Sequence, residues 1–474
     1  MTSAIPNSLL FAGIASSLAT VFGVAAFAAL ATSSQRIRMT LIISAIACLL
    51  TPAFLQAGAW MDFAMKVGLP YASLPFGAFV LSLQLWPIVT LLLLAMSRHL
   101  DTSLLESARL SLTRASTWTR VILPLLSPAL ALGWVAAFIL ALNNFIIPTT
   151  FQTHVQITEI YVEFQSLYNT SGALLQSIPI WIVSMIALVL AARLTVRMRA
   201  ANRHTAADSS SALQCTPLPG GFAPWILFSL VLLGLSIVPP LSRIITACCH
   251  ENIWTSLQLA RPQFGASLAY AVGSTVLATS LACVVWIFCR KWKLEWVLAT
   301  PFILSGFFLG VLLIAISQWA GKYAWWQGTW TLVIAALAIR FIWIPYKAAA
   351  TAHSRINSDI LDAAQIFRLP RSSVLRFIEW PALRPSLLAA AWVVYVLALW
   401  DVETLVMIYP PGGEPVSLRI YQLLHYGYDA QVGVLSLGLL AMGIAPGLAL
   451  LFFRSHSANS VHSVQKLRIS SPAS

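Results

Sequence analysis

Apolar runs of about 20 residues recur along the whole chain, separated by short polar stretches. A helix of that length crosses the hydrocarbon core of a bilayer, and a helix is one of the few structures that satisfies its own backbone there. The runs predict spans near 8–30, 40–60, 75–97, 127–149 and 177–197, then near 222–246, 266–289, 296–317, 327–347, 386–408 and 431–453. The predicted fold class is therefore an all-α polytopic membrane protein with about 11 transmembrane helices. Between the two groups of spans lies "MRAANRHTAADSSSALQCTPLPGG" (198–221), polar, rich in small residues and ended by Pro and Gly. It reads as a linker. The organisation expected is a first repeat over 1–200, a linker over 201–221, a second repeat over 222–455 and a tail over 456–474.

Two polar interruptions are longer than the rest and resemble each other. "SLLESARLSLTRASTWTRVILPLLSP" begins at Ser103, and "DILDAAQIFRLPRSSVLRFIEWPALRP" begins at Asp359. At an offset of 256, Glu106 meets Asp362, Ala108 meets Ala364, and Arg120 meets Arg376. One residue is then gained, so that Pro124 meets Pro381 and Pro128 meets Pro385. Each loop reads as a short helix, with Ser103 and Glu106 fitting a capping box and Asp359 with Asp362 a weaker one. Small residues at 107–108 and 363–364 admit a close neighbour, and each proline fixes the entry to the next span. Two ordered copies of one design point to a duplicated chain.

Mean hydropathy is +0.82 and only 9% of the residues are charged, which fits the membrane class. The net charge of +13 then reads as Lys and Arg held on the cytoplasmic side, with no nucleic acid as partner. Arg36, Arg38, Arg98, Arg109, Arg114, Arg120, Arg193 and Arg197 would crowd that side in the first half. Arg290, Lys291, Lys293, Lys347, Arg355, Arg368, Arg371 and Arg376 would do so in the second. This places the N-terminus outside and the C-terminus in the cytoplasm, with both polar loops facing inward and the two halves parallel. Span 222–246 has no partner in the first half. The opening "MTSAIPNS" carries no basic residue and predicts no secretory n-region. Cys248, Cys249 and His250 lack a second ligand pair at zinc spacing, so no metal site is expected.

The paired loops resemble the "EAA" loop of the permease subunit of ABC importers, which runs E-A-A, three residues, G, then I-x-L-P. The copies here are "ESA…VILP" and "DAA…FIEWP", with Leu112 and Arg368 at the glycine position. "LWDVETLVMIYPPGGEPVSLRIYQLLHYGYDAQ" (399–431) is similar to the outer segment of fused iron(III)-type permeases, and Ile160-Tyr161 echoes Ile420-Tyr421. The resemblance implies a type I ABC importer transmembrane fold in two parallel repeats, in a bacterial inner membrane. It implies that Glu106, Ser107, Ala108 and Pro124, with Asp362, Ala363, Ala364 and Pro381, form coupling loops near 100–125 and 355–383. These would meet two copies of an ATPase subunit. The chain has no G-x-x-x-x-G-K-[ST], so ATP and Mg would be bound by that partner and this chain would need no cofactor and be no enzyme. An extracytoplasmic binding protein would deliver the substrate, iron(III) first, with thiamine, polyamine or phosphonate-like substrates as alternatives.

Ionisable residues at membrane depth are the candidates for a substrate path. Arg340 lies within a span, near its cytoplasmic end, where it could snorkel. Asp401 and Glu403 would stand at the outer end of 386–408, with Glu159 in the opposing outer loop; carboxylates suit hard cations. Two rivals make different demands. A secondary transporter needs buried coupling carboxylates in mid-span, and the central turns carry none. A membrane enzyme needs His, Asp or Glu clustered at one face, and the eight histidines are scattered.

Overall fold

The computed structural model describes residues 4–97, 100, 102–203, 222–290, 294–323, 325–426 and 430–449. The linker expected at 201–221 lies outside the described residues beyond 203, and so does the tail at 456–474. Among the described residues all regular structure is helical. In chain order it comprises α1 (Ala4–Thr32), α2 (Gln35–Leu49), α3 (Ala53–Val67), α4 (Leu74–Ser97), α5 (Thr102–Ser111), α6 (Arg114–Thr117), α7 (Leu123–Leu142), α8 (Ile146–Thr150), α9 (Gln156–Gln165) and α10 (Thr170–Arg203). Then follow α11 (Phe222–His250), α12 (Ile253–Leu259), α13 (Arg261–Cys289), α14 (Glu295–Ile303), α15 (Gly306–Ala320), α16 (Trp330–Phe341) and α17 (Trp343–His353). Last come α18 (Ser358–Ile366), α19 (Arg371–Val374), α20 (Trp380–Trp400), α21 (Leu405–Ile408), α22 (Val416–His425) and α23 (Ala430–Ala449). One-turn π-helices, Trp118–Ile122 and Leu375–Glu379, join α6 to α7 and α19 to α20.

Nine described helices are long and apolar enough to cross a membrane, and two bent pairs bring the number of candidate spans to as many as 11. The bent pairs correct the expectation of straight spans near 40–60 and 296–317. α2 meets α3 at 90°, and α14 meets α15 at 97°. Pro52 explains the first break: its missing N–H and fixed φ stop a helix from running through, and its backbone is extended (φ −61°, ψ 142°). Ser305 ends the second, also extended, with its hydroxyl accepting from the Phe307 N–H at 3.3 Å. Each break frees a backbone carbonyl that lipid could not satisfy. Gln84 Nε2 donates to the Thr51 carbonyl at 2.9 Å, and Asn143 Nδ2 donates to that of Ile303 at 3.1 Å.

The order of elements over 4–203 recurs over 261–449. A long span (α1, α13) leads to a bent pair (α2–α3, α14–α15), then to a span (α4, α16–α17) and a short helix (α5, α18). A π-turn opens the next span (α7, α20), two short helices follow (α8–α9, α21–α22), and a last span closes the series (α10, α23). α11 and α12 stand outside this recurrence.

Contacts divide the described residues into two compact units, each discontinuous in sequence. The first lies within Met1–Glu251, Ile303–Trp325 and Ile420–Gly433, and the second within Asn252–Phe302, Trp326–Arg419 and Val434–Ser474. In the first unit α1 packs along α4 and α7. Its seam is made of small residues, Ala12, Ala15, Ser16, Ala19, Gly23 and Ala26, all buried. Small residues let membrane helices approach closely where no hydrophobic drive exists between them and lipid. Val89 of α4 is wedged between two glycines. A Cβ on Gly23 would lie 2.6 Å from Val89 Cβ, and one on Gly133 of α7 would lie 3.2 Å from Val89 Cγ1. Below this junction, Phe27, Leu93 and Met96 form a core with Leu105 of α5, Ile122 of the π-turn and Leu126.

The second unit repeats that arrangement. α13 packs against α16, α17 and α20, and Trp286, Tyr346, Ala349, Leu383 and Leu387 fill the core beside the π-turn. On α10 the opposite pattern holds: Leu175, Ile178, Ile182, Ile186 and Val189 recur at helical spacing and face outward. A stripe of that kind belongs in hydrocarbon, not in water.

Replacing Gln84 with Leu removes the side-chain donor to the Thr51 carbonyl while keeping the side-chain volume. We expect the variant to lose about 1–3 kcal/mol of stability, read as a lower thermal unfolding midpoint in detergent; an unchanged midpoint would refute the role given to Gln84.

Candidate functional site

Both polar loops fold as helices, as expected, and in the second the cap sits elsewhere. In the first loop α5 runs from Thr102, with Ser103 in its first turn; the capping role expected of the Ser103 side chain lies outside the described residues. In the second loop the cap is Asn357, two residues before Asp359, and its Oδ1 accepts from the Asp359 N–H at 3.0 Å. Asn357 has the non-helical backbone that an N-cap requires, whereas Asp359 is already helical.

The two helices present matching faces. Glu106 and Ser107 are exposed and Ala108 is buried; Asp362 is exposed, Ala363 half-buried and Ala364 buried. The buried alanines let each helix lie close against its own unit. One turn after each acid, on the same face, an apolar side chain stands in the open: Leu110 is 91% exposed and Ile366 is 78% exposed. The sequence reading passed over this pair, although the 256-residue offset aligns them. Phe367 adds a further exposed ring to the second loop.

The position that carries glycine in the motif these loops resemble behaves differently in the two loops. Arg368 adopts a left-handed backbone (φ 50°) and closes α18, with the Leu369 N–H reaching back to the Ala364 carbonyl at 3.0 Å. That is the conformation glycine tolerates best. Leu112 is not among the positive-φ residues; its N–H completes a helical bond to Ala108 at 2.8 Å.

Pro124 and Pro381 both occupy the second position of the span that follows. A proline inside a continuous helix loses a hydrogen bond and clashes with the carbonyl four residues back. The π-turns remove that conflict by slipping the register one residue. The Leu123 N–H bonds to Trp118 O, and the Trp380 N–H bonds to Leu375 O, each five residues back. In the second unit the π-turn also carries Glu379, a buried carboxylate the sequence reading missed. Arg290 Nη1 pairs with it at 2.8 Å, and His353 Nδ1 lies 3.7 Å away. The only signal was a lone acid inside the apolar string "FIEWP".

The candidate path residues are partly brought together. Arg340 does not snorkel. It lies ten residues into the span Trp330–His353, and its side chain is 13% exposed. Its Nη1 reaches Asp401 Oδ2 at 2.5 Å and Thr404 Oγ1 at 2.7 Å, and its Nη2 reaches Glu403 Oε2 at 2.9 Å. Asp401, with a side chain only 2% exposed, follows the last residue of α20 and holds the turn before α21 by accepting from the Thr404 N–H at 2.8 Å. One cation thus faces two carboxylates in a desolvated setting, where pairing and hydrogen bonds must offset the cost of burial.

The counterpart turn of the first unit is built without charge. Asn144 Oδ1 accepts from the Ile147 N–H at 3.0 Å, and the residue 256 positions before Arg340 is Gln84. Glu159 stands apart from this cluster in composition: it lies on α9 of the first unit, partly exposed, with His154 Nδ1 at 3.7 Å. Among the described residues no group of three His, Cys, Asp or Glu side chains is placed to hold a metal ion.

Two stability measurements check these assignments. Arg368→Gly should gain about 1 kcal/mol by relieving the left-handed strain, whereas Leu112→Gly should gain nothing. Arg340→Gln should lose about 3–5 kcal/mol, because it strands two buried carboxylates. Adding Asp401→Asn and Glu403→Gln should recover much of that loss, and a triple variant no more stable than the single one would contradict the pairing.

No family model matches the chain. Over 181 residues, 36% of this chain and 67% of the other, the chain is 25% identical to a protein of Salmonella paratyphi A. That protein is provisionally named 2-aminoethylphosphonate transport system permease protein PhnV.

Proposed function

We propose that this chain is the membrane component of an ATP-driven, binding-protein-dependent importer, with two permease repeats fused in one polypeptide. In this reading α5 and α18 are coupling helices facing the cytoplasm. Each docks on one copy of an ATPase subunit, which binds ATP and Mg. A binding protein delivers substrate to the other face, and the chain itself does no chemistry on it.

The observation that carries the reading is the shared design of the two loops. In each, an exposed acid (Glu106, Asp362) and an exposed apolar residue one turn later (Leu110, Ile366) share a face, while an alanine (Ala108, Ala364) seats the helix on its unit. A π-turn and a proline then join it to a span. Exposed apolar residues ringed by polar ones suit a protein partner. Motion of either helix would pass through the π-turn into α7 or α20, a rigid-body route between two packings. The recurrence of elements over 4–203 and 261–449 supports the fused, parallel arrangement, and the similarity to a permease named for 2-aminoethylphosphonate supports the class.

For the substrate, that relative favours a small phosphonate-like anion. The segment 399–431 favours iron(III), by its likeness to iron(III)-type permeases. A second reading, secondary transport without an ATPase, gains from Asp401 and Glu403, two largely desolvated carboxylates just beyond α20 that pair with the in-span Arg340.

Co-purification with an ABC-type ATPase subunit co-expressed with this chain tests the docking. Glu106→Lys with Asp362→Lys should abolish it, and Leu110→Asp with Ile366→Asp should weaken it at least tenfold; unaltered binding in both would rule docking out. Uptake of radiolabelled phosphonate, iron(III), thiamine and polyamine into vesicles then separates the substrates. Uptake driven by a proton gradient in the absence of ATP would instead favour the secondary transporter.

A further inference from the structure

Four aromatic rings from four separate stretches of the chain meet inside the first compact unit. Phe145 follows α7, Tyr161 lies on α9, Phe307 lies in the first turn of α15, and Tyr421 lies on α22. Phe145 is the hub, with ring centroids 4.4 Å from Phe307, 5.0 Å from Tyr161 and 5.5 Å from Tyr421. Tyr161 and Phe307 close the set at 5.9 Å. The contacts are tilted or edge-on, as aromatic packing prefers. Both phenylalanines are fully buried, whereas Tyr161 is partly open.

Two features set this cluster apart from ordinary core. The first is that Tyr161 and Tyr421 are counterparts in the recurring order, on α9 and α22, within the shared Ile-Tyr pair. Both touch one ring. Where a design is present twice, a residue approaches its own counterpart only near the axis that exchanges the copies. A path shared by two repeats runs along such an axis, with substrate sites at the repeat interface. The second feature is mechanical. Phe307 sits immediately beyond the 97° break between α14 and α15, and Phe145 sits in the short connection between α7 and α8. Non-helical backbone at membrane depth is tolerated where it is buried or lines a cavity, and it is where a hinge absorbs a change of angle.

We propose that Phe145, Tyr161, Phe307 and Tyr421 form the gate that closes the translocation path. The proposal rests on the importer reading and adds to it which side chains block the route. The rings seal by stacking area, so the seal depends on the rings and not on the tyrosine hydroxyls. Opening separates Phe307 and Tyr421 from the Phe145 hub, and closing restores the contact.

The test uses the full chain in vesicles loaded with radiolabelled methylphosphonate, with no ATPase present. Phe145→Ala and Tyr421→Ala should each raise efflux at least tenfold over the unaltered chain, while Tyr421→Phe should stay tight. If variants that elute as a single species and keep a cooperative unfolding transition show no added efflux, the gate is overturned. A second arm uses a chain lacking its six cysteines, with Tyr161→Cys and Tyr421→Cys joined by a short, reducible bifunctional thiol reagent. Cross-linking should stop ATP-driven uptake and reduction should restore it; uptake unchanged by the cross-link overturns the gate. ATP hydrolysis by the complex is followed alongside. If no ATPase partner stimulates uptake in the unaltered chain, the importer reading fails, while the efflux arm still judges the gate.

Discussion

In hydrocarbon a backbone carbonyl without a donor has no water to fall back on, and the helix breaks described above answer to that constraint. The two helix breaks are the clearest instances. Each would leave a carbonyl bare, and each is met by an amide side chain from another helix, Gln84 at Thr51 and Asn143 at Ile303. The π-turns are a second answer. They let Pro124 and Pro381 sit at the second position of α7 and α20, directly after a helical turn, without a clash. The places where the chain departs from straight helix are thus the places where polar side chains are recruited into the interior. They are also the places from which the loops and the aromatic cluster are hung.

Much of this was legible in the residues, and the failures have physical causes. Span positions follow from apolar length alone, so the helical class and most boundaries were readable. The bends were not, because hydropathy averages over Pro52 and Ser305, and a broken span is as apolar as a straight one. Exposure of Glu106 and Asp362 and burial of Ala108 and Ala364 were implicit in the aligned loops. Leu110 and Ile366 were overlooked because an isolated leucine or isoleucine in a membrane protein carries no compositional signal. The trio of Arg340, Asp401 and Glu403 was noticed one residue at a time. Joining them needs the knowledge that α16 and the end of α20 reach the same depth, which no local pattern supplies. The positive φ of Arg368 agrees with the glycine of the motif the loops resemble, while Leu112 at the same position continues a helical hydrogen bond.

The duplicated order of elements does not make the two stretches equal. The first closes its α7–α8 turn with Asn144 and meets a carbonyl with Gln84. The second uses Arg340, Asp401 and Glu403 for the corresponding turn, pairs Glu379 with Arg290 in its π-turn, and pairs Lys347 with Glu295. The first copy leans on neutral amides and on small-residue seams such as Gly23, Val89 and Gly133, and its half-buried carboxylate Asp62 pairs outside the recurrence, with Arg243 of α11 at 3.0 Å. The other is held by desolvated charge.

That contrast bears on how the chain tolerates sequence drift. At Gln84 or Asn144 a replacement forfeits one bond, and a neighbour of similar shape can restore it singly. At Arg340 any lone replacement strands carboxylates with no solvent to receive them, so viable ancestors and descendants must exchange several of these residues together. The second copy is therefore expected to vary in coordinated jumps separated by long stasis, and the first by independent single steps.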